Sequence, residues 1–191
     1  MHSGSFASFI RLYGCNVGCW FCDTGYAAPD HGKQVEHFDI DSEDLRSKLL
    51  ANMVVITGGE PLTHPQIDPL KNWLRNHGKK ICIETSGCVK NAPARNPFQH
   101  ITLSPKEHCS KLKVNPEMWN LANEVKLVIS EENDFEYYEE RIPRLLKSGT
   151  PVYLQPEFSS MPDVMEYIID CLQDYPELKV SAQTHKFLGL R

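Results

Sequence analysis

The chain has 191 residues, of which 41% are hydrophobic and 24% charged, and its net charge is −5 at pH 7. These values are typical of one globular domain with a single core, so we treat residues 1–191 as one domain. No run of Lys and Arg is present, which argues against a nucleic-acid partner held through its phosphates. No apolar stretch is long enough to cross a bilayer, and the first residues lack a secretory signal pattern. We therefore expect a cytoplasmic protein without a membrane segment.

Short apolar runs alternate with helical patterns along the chain, which predicts repeated βα units and a parallel sheet. The predicted strands cover residues 8–12, 53–57, 80–84, 100–103, 124–129, 152–155 and 179–182. They are rich in Val, Ile and Leu, which favours strands covered on both faces. Seven such strands favour an incomplete (β/α) barrel or an open α/β sheet.

Four helices are predicted between these strands from apolar residues at helical spacing. The first begins at Asp41 or Ser42, either of which can cap it. The second ends near Gly78 and the third at Gly149. The apolar residues that mark the four helices are Leu45, Leu49 and Leu50; Ile67, Leu70, Trp73 and Leu74; Phe135, Ile142, Leu145 and Leu146; and Val164, Ile168 and Leu172. Segments 25–40 and 88–99 lack periodicity and are predicted to be loops.

Polar or Gly- and Pro-containing segments directly follow most of the predicted strands. They are Gly14-Cys15, Gly58-Gly59-Glu60, Thr85-Ser86-Gly87, Ser104-Pro105-Lys106, Gln155-Pro156-Glu157 and Gln183-Thr184-His185-Lys186. Parallel α/β folds build their sites where the carboxyl ends of the strands meet, so we expect these segments around one site. Ordinary turns would explain the glycines but not the recurring Glu, Lys, Thr and His.

Cys15, Cys19 and Cys22 form a C-x3-C-x2-C pattern. Thiolates at such short spacing can converge on one metal centre, and soft thiolates select zinc, Cu(I) or an iron–sulfur cluster. Structural zinc and most electron-transfer clusters use four protein ligands, whereas the next cysteine, Cys82, lies 60 residues beyond Cys22. A cluster held by three thiolates leaves one iron open to a substrate or cofactor.

Other interpretations of this pattern stay open at this point. Cys19 and Cys22 alone could form a redox pair, which leaves Cys15 unexplained. A zinc site could recruit His31, His108 or a distant cysteine, and three unpaired structural cysteines would be unusual in a glycine-containing loop. The remaining cysteines are scattered, which is typical of small buried apolar side chains. They are Cys82, Cys88, Cys109 and Cys171.

The cysteine pattern, with Phe21 before its last cysteine, resembles the signature of radical S-adenosylmethionine (SAM) enzymes. Gly58-Gly59-Glu60-Pro61 resembles the GGE motif of that superfamily, which meets the amino group of SAM. A more specific resemblance, to the 7-carboxy-7-deazaguanine synthases, runs in order from residue 9 to residue 188. Its motifs are Phe9-Ile10-Arg11-Leu12, Cys22-Asp23-Thr24, Val55-Ile56-Thr57-Gly58-Gly59-Glu60-Pro61, Ile83-Glu84-Thr85-Ser86-Gly87, Ser104-Pro105-Lys106, Leu154-Gln155-Pro156 and Gln183-Thr184-His185-Lys186.

The resemblance implies an incomplete (β/α) barrel of the radical SAM type. It implies conversion of 6-carboxy-5,6,7,8-tetrahydropterin to 7-carboxy-7-deazaguanine with loss of ammonia, in queuosine biosynthesis. The implied cofactors are a 4Fe–4S cluster, SAM and Mg²⁺. Flavodoxin or ferredoxin is the implied electron donor, and a homodimer the implied assembly. The alternatives are a glycyl-radical activating enzyme of the same superfamily and a non-catalytic zinc or iron–sulfur module.

The resemblance also implies roles for individual residues. Cys15, Cys19 and Cys22 hold the cluster, Arg11 holds the pterin carboxylate, and Thr57 contacts substrate. Thr24 is the implied Mg²⁺ ligand. The implied SAM site consists of Phe21, Cys22, Asp23, Gly59, Glu60, Glu84, Ser104, Pro105 and Lys106.

Several of these residues keep a structural alternative. Glu60 either accepts a hydrogen bond from the SAM amino group or braces its own loop. Lys106 either meets the SAM carboxylate or is a solvated lysine. Trp20 and Phe21 are expected to shield the cluster. Gln155, Gln183 and His185 are expected to line the site without an assigned role.

The opening of the chain differs from the pattern that the resemblance implies. Members of the family carry Gln-Gly-Glu-Gly before the first strand, in a segment that helps to bind substrate. This chain opens with Met1-His2-Ser3-Gly4-Ser5-Phe6. We therefore expect either a shortened N-terminal segment or a different mode of substrate binding.

Overall fold

Seven parallel strands form one sheet in which each strand pairs with its neighbours along the chain, in the order β1 to β7. A computed structural model describes residues 4–24, 35–94 and 98–189. The strands are β1 (Ala7–Leu12), β2 (Met53–Gly58), β3 (Lys80–Thr85), β4 (Phe98–Leu103), β5 (Glu124–Ile129), β6 (Val152–Pro156) and β7 (Lys179–Val180). In the described part of the chain β1 and β7 do not pair with each other, so the barrel is incomplete.

In the described chain, six α-helices and one 3₁₀ turn connect the strands, and a seventh α-helix follows the last strand. The helices are α1 (Glu43–Lys48), α2 (Ile67–Asn76), α3 (Pro116–Leu121), α4 (Glu136–Glu139), α5 (Ile142–Lys147), α6 (Met161–Asp174) and α7 (Thr184–Phe187), and the 3₁₀ turn covers Pro61–Thr63. Within the described residues, none of these helices has both the length and the apolar character that crossing a membrane requires.

Local sequence explains where most helices begin and end. Ser42 caps α1 by accepting a hydrogen bond from the Leu45 N–H at 3.2 Å, which decides between the two predicted caps. After α2, Gly78 adopts a φ of 68°, as the predicted helix end requires. The single helix predicted up to Gly149 is wrong, because the chain forms the two short helices α4 and α5. Pro143 stands in the first turn of α5, where it lacks the N–H that a continuous helix would need.

The two faces of the sheet have different environments. One face packs against the helices, and Val54, Ile56 and Leu127 on it are 0% exposed. Residues that alternate with these point into a cavity, as Val55 and Thr57 do on β2. The prediction that the strands are covered on both faces is therefore wrong for the inner face, which lines the cavity. Predicted loop 25–40 lies mostly outside the described residues, as does part of 88–99.

Candidate active site

One cavity of about 940 Å³ lies on the inner face of the sheet, and loops at the carboxyl ends of the strands form part of its wall. Segments after β1, β2, β3, β4, β6 and β7 all contribute to its wall, as the order of the polar segments predicts. Predicted site residues that line it are Arg11, Cys15, Cys19, Phe21, Cys22, Asp23, Thr24, Thr57, Gly59, Glu84, Ser104, Lys106, Gln155, Gln183 and His185. Glu60 and Pro105 are buried outside this lining.

The loop after β1 carries the three cysteines along the cavity wall. Val17 anchors it in the core with 8% exposure, and Gly18 takes a φ of 72° that allows the chain to turn back. The Val17 N–H donates to the Cys15 sulfur at 3.4 Å. The Cys22 N–H donates to the Cys19 carbonyl oxygen at 3.3 Å. These backbone bonds place all three thiols on the cavity side of one short loop.

The three thiols have different neighbours. Cys22 Sγ lies 3.2 Å from Thr24 Oγ1, whereas the thiol of Cys109, together with burial, raises the pKa of Cys19. Burial raises the pKa of Cys15. Within the described residues, no three His, Cys, Asp or Glu side chains are gathered closely enough to hold one metal ion. As a donor set, three soft thiols on one cavity-lining loop fit an iron–sulfur cluster, and convergence of their sulfur atoms stays a prediction.

Cys109 was predicted to be a buried packing residue, and this is wrong. It is partly exposed, and the neighbouring Ser110 binds the cysteine loop at Val17, whereas Cys82, Cys88 and Cys171 are buried as predicted. The neighbouring Cys19 lowers the pKa of Cys109, while burial acts in the opposite direction.

Lys106 lies close to both thiols in the wall of the cavity. Its Nζ donates to the Ser104 carbonyl oxygen at 2.8 Å and to Ser104 Oγ at 2.6 Å. Burial lowers its pKa, while the neighbouring Cys19 acts in the opposite direction. A cation held in this way, at the end of β4, is a suitable partner for a carboxylate entering the cavity.

The glycine-rich turn after β2 packs directly against the cysteine loop. The Gly59 N–H donates to the Leu12 carbonyl oxygen at 2.9 Å, and the Glu60 N–H donates to the Gly14 carbonyl oxygen at 3.0 Å. A Cβ on Gly59 would lie 1.8 Å from the Gly14 oxygen and 2.9 Å from the Cys15 Cβ. Only glycine therefore allows the turn to approach the cysteine loop this closely.

The Glu60 carboxylate braces this turn. It is 1% exposed and accepts bonds from the Leu62 N–H at 3.1 Å and from Thr85 Oγ1 at 2.6 Å. The Ser86 N–H and hydroxyl donate to its other oxygen at 2.8 and 2.5 Å. These four bonds correspond to the bracing alternative, and they tie the turn after β2 to the segment after β3.

Charged side chains on the inner face of the sheet form the floor of the cavity. Arg11 is aligned with Thr57 across β1 and β2, and Thr57 Oγ1 donates to Glu84 Oε2 at 3.5 Å. Lys126 Nζ lies 3.7 Å from Glu84 Oε1. Further along the floor, burial opposes ionisation of Glu124, but hydrogen bonds, the first of them from His100, lower its pKa to about 2.

Sequence reasoning missed four of these floor residues. They are His100, Thr102, Glu124 and Lys126. Two polar residues at alternate positions of β4, and two more on β5, indicate this face, because alternate strand residues face the same side. The expectation of strands covered on both faces gives no role to these residues.

The segment after β7 meets the cysteine loop across the open side of the barrel. Asp23 Oδ2 lies 3.6 Å from His185 Nε2 and 3.5 Å from Gln183 Nε2, which donates to it. Gln183 Oε1 also accepts the Phe158 N–H at 3.0 Å. Gln155 Oε1 accepts from the Ser181 hydroxyl at 3.3 Å. These contacts connect the two edges of the open sheet at the rim of the cavity.

The two aromatic residues before Cys22 have different environments. Phe21 lines the cavity and stacks on His108, with ring centroids 5.6 Å apart. Trp20 is 65% exposed, so the prediction that it shields the cysteines is wrong. His31, one of the residues considered for a zinc site, lies outside the described residues.

Comparisons with known proteins agree with this arrangement. A model of the radical SAM superfamily matches residues 9–156. A 7-carboxy-7-deazaguanine synthase of Synechocystis sp. is 38% identical over 190 residues, covering 99% of this chain and 86% of that protein. The synthase of the same name from Flavobacterium psychrophilum is 33% identical over 191 residues, covering 99% and 85%.

Solved structures show the same fold. The structure of QueE from Escherichia coli matches with a TM-score of 0.70 and 29% identity, covering 93% of this chain and 85% of that one. SuiB from Streptococcus suis matches with a TM-score of 0.58 and 14% identity, covering 93% of this chain and 48% of that one, which supports the fold alone. The predicted incomplete barrel of the radical SAM type is confirmed. The chain belongs to the 7-carboxy-7-deazaguanine synthase family of radical SAM enzymes.

Proposed function

We propose that this chain converts 6-carboxy-5,6,7,8-tetrahydropterin to 7-carboxy-7-deazaguanine with loss of ammonia. The observation that carries the proposal is the placement of the family's cysteine loop, glycine turn and Arg11 around one cavity. The relatives do not favour the glycyl-radical activating enzyme or the non-catalytic metal module as alternatives. By analogy with the family, the enzyme works in the cytoplasm as a homodimer and receives electrons from flavodoxin or ferredoxin.

Cys15, Cys19 and Cys22 would hold a 4Fe–4S cluster, and SAM would complete its coordination. When bound, this pair supplies the radical that abstracts hydrogen from the pterin, so the protein needs no nucleophile of its own. The backbone of Gly59 lies against the cysteine loop. Because Gly59 has no side chain of its own, its backbone would be accessible to SAM. Lys106, held by Ser104, would neutralise the SAM carboxylate.

The substrate would bind on the floor of the cavity. The Arg11 guanidinium faces the cavity from the end of β1, where its planar donors suit a carboxylate. Thr57 and Glu84 lie on the next two strands and offer hydrogen-bonding oxygens beside it. Thr24 would contribute its hydroxyl to Mg²⁺, which accepts one protein oxygen together with water and substrate oxygens.

The test is a reconstitution under anaerobic conditions with reductant, SAM, Mg²⁺ and the carboxytetrahydropterin. Mass spectrometry then follows 7-carboxy-7-deazaguanine and 5′-deoxyadenosine. Formation of the deazaguanine is the expected result. SAM cleavage without this product would refute the pterin assignment, and a chain that takes up no iron and cleaves no SAM would support the metal module.

A substitution at Arg11 tests the substrate site within the same assay. Arg11→Lys keeps the charge but loses the bidentate hydrogen bonds that a guanidinium can donate to a carboxylate. We therefore expect kcat/KM for the pterin to fall about 10- to 100-fold. Arg75→Lys, on the exposed side of α2, is the matched control and leaves kcat/KM unchanged. Equal values for the two variants would remove Arg11 from the substrate site.

A further inference from the structure

His108 lies in the segment after β4, and no step proposed above uses it. Its ring stacks on that of Phe21, with centroids 5.6 Å apart and planes within 10° of parallel. Phe21, which directly precedes Cys22, lines the cavity, whereas His108 is not among the described residues that line it. The Phe21 ring therefore lies between His108 and the cavity, and His108 supports it from behind.

One buried hydroxyl group holds His108 in this place. Tyr138, on α4, is fully buried. Its hydroxyl oxygen accepts the His108 N–H at 3.3 Å and lies 2.6 Å from His108 Nδ1, so one oxygen holds both the backbone and the ring. The Tyr138 ring also packs edge-on against the His108 ring, with centroids 5.7 Å apart and an angle of 79° between the planes. These contacts fix the orientation of the His108 ring, because rotation about its side-chain bonds would break the bond at Nδ1.

The second aromatic neighbour of Phe21 gives weaker support. Trp20 meets the Phe21 ring edge-on, with centroids 5.3 Å apart, but it is 65% exposed. An exposed side chain keeps more rotamer freedom than a hydrogen-bonded one, so Trp20 constrains the plane of Phe21 less than His108 does. Burial also lowers the pKa of His108, so its ring is uncharged at neutral pH and stacks as a neutral aromatic face.

We propose that His108, held by Tyr138, is a positioning residue for SAM, and that its ring sets the plane in which Phe21 meets the adenine base. The inference deepens the proposed function and rests on its assignment of Phe21 to the SAM site. His108 acts through Phe21 and does not itself touch SAM. A flat purine binds more tightly to an aromatic ring that is already fixed, because less side-chain freedom is lost on binding. Phe21 is such a ring, since His108 covers one side of it and the cavity borders it.

Two substitutions at His108 separate the role of its ring from the role of its hydrogen bond. His108→Asn keeps an amide that can bind the Tyr138 hydroxyl but loses the ring, so we expect the Kd for SAM to rise about 10-fold. His108→Phe loses the bond at Nδ1 but keeps a ring over Phe21, and its N–H still binds Tyr138, so we expect the Kd to rise less than about threefold. Each variant loses one packing or hydrogen-bonding contact, so a merely structural role would weaken SAM binding in both.

The measurement is anaerobic equilibrium dialysis of SAM against the cluster-loaded enzyme, without reductant or pterin, so that no turnover occurs. L-Methionine, measured by competition, keeps the amino and carboxylate groups of SAM but has no base, and its affinity should be equal in all variants. His77→Asn is the matched control and should leave the Kd for SAM unchanged. His77 also binds through Nδ1, 2.8 Å from the Trp73 carbonyl oxygen, and packs on the Trp73 ring, but it follows α2 outside the described cavity lining.

An unchanged Kd for SAM in His108→Asn would overturn the proposal, and so would equal losses in His108→Asn and His108→Phe. A loss of methionine affinity as large as the loss of SAM affinity would place the effect away from the base and would also overturn it. If His108→Asn fails to fold, His108→Leu fills the space without an aromatic face and carries the same expectation. A wild type that binds SAM but forms no deazaguanine would refute the proposed reaction alone, whereas a wild type without SAM affinity would refute both.

Discussion

Glu60→Gln tests whether the GGE carboxylate braces its turn. The carboxylate accepts four hydrogen bonds in a site that is 1% exposed. The Gln amide has a single oxygen, which can replace only one of the two carboxylate oxygens. Its NH₂ group then faces the N–H of Leu62 or of Ser86, and neither N–H can accept a hydrogen bond. One buried N–H left unpaired costs about 1–3 kcal/mol, and the bonds that remain lose their charge assistance. We therefore expect a loss of about 3 kcal/mol in the free energy of unfolding.

The assay is urea unfolding of the iron-free, reduced chain, followed by tryptophan fluorescence. A loss of that size corresponds to a decrease in Tm of roughly 6–12 °C for a domain of this length. Glu117→Gln, at an exposed position of α3, is the matched control and should change stability by less than about 0.5 kcal/mol. A loss below about 1 kcal/mol in Glu60→Gln would refute the bracing role, because a residue that only contacts SAM does not stabilise the chain without SAM.

Three further predictions concern the loops and the floor of the cavity. Gly59→Ala should abolish iron incorporation in a metal assay, since its Cβ would lie 1.8 Å from the Gly14 oxygen. In the control Gly78→Ala the added Cβ meets no atom within 4 Å, so this variant should retain iron despite the positive φ at that position. Thr24→Ala should raise the Mg²⁺ concentration required for turnover while leaving iron content unchanged; an unchanged requirement would remove Thr24 from the proposed Mg²⁺ site. The lowered pKa of Glu124, about 2, means that its contribution to stability is present above the unfolded pKa near 4.3 and lost as the pH falls toward 2. Urea unfolding should show that the wild type loses roughly 2 kcal/mol more than the Glu124→Gln variant between pH 5 and about 2.5, and equal losses would contradict it.

The sequence predicted the strands because their signal is local. All seven strands formed within two residues of the predicted bounds, since each is a short apolar run followed by a turn. Two helices were not predicted, because they are short. α3 is a short helix that begins at Pro116 after the cap Asn115, and α7 begins at Thr184 in a segment noticed only for its polar residues. Neither has enough turns to show a helical period.

The cavity floor was harder to predict because its residues are spread over separate strands. Lys126 and Glu84 lie on β5 and β3, with β4 between them, and only the register of three paired strands brings them within 3.7 Å. A polar residue within one strand indicates the inner face, but the identity of its partner depends on the register across the sheet.

The contact between the cysteine loop and the segment after β4 shows where reasoning from sequence stops. Spacing placed the three loop cysteines on one cavity wall, because their separation along the chain limits their separation in space, and their convergence on one metal centre stays a prediction. The same reasoning assigned Cys109 to packing, since nothing local distinguishes it from Cys88 or Cys171. What distinguishes it is the bond from Ser110 to Val17, which joins two loops that lie after different strands. Packing between loops is not encoded in a period or a motif. A residue that packs beside a site can therefore go unpredicted from the sequence even when motifs predict the site itself.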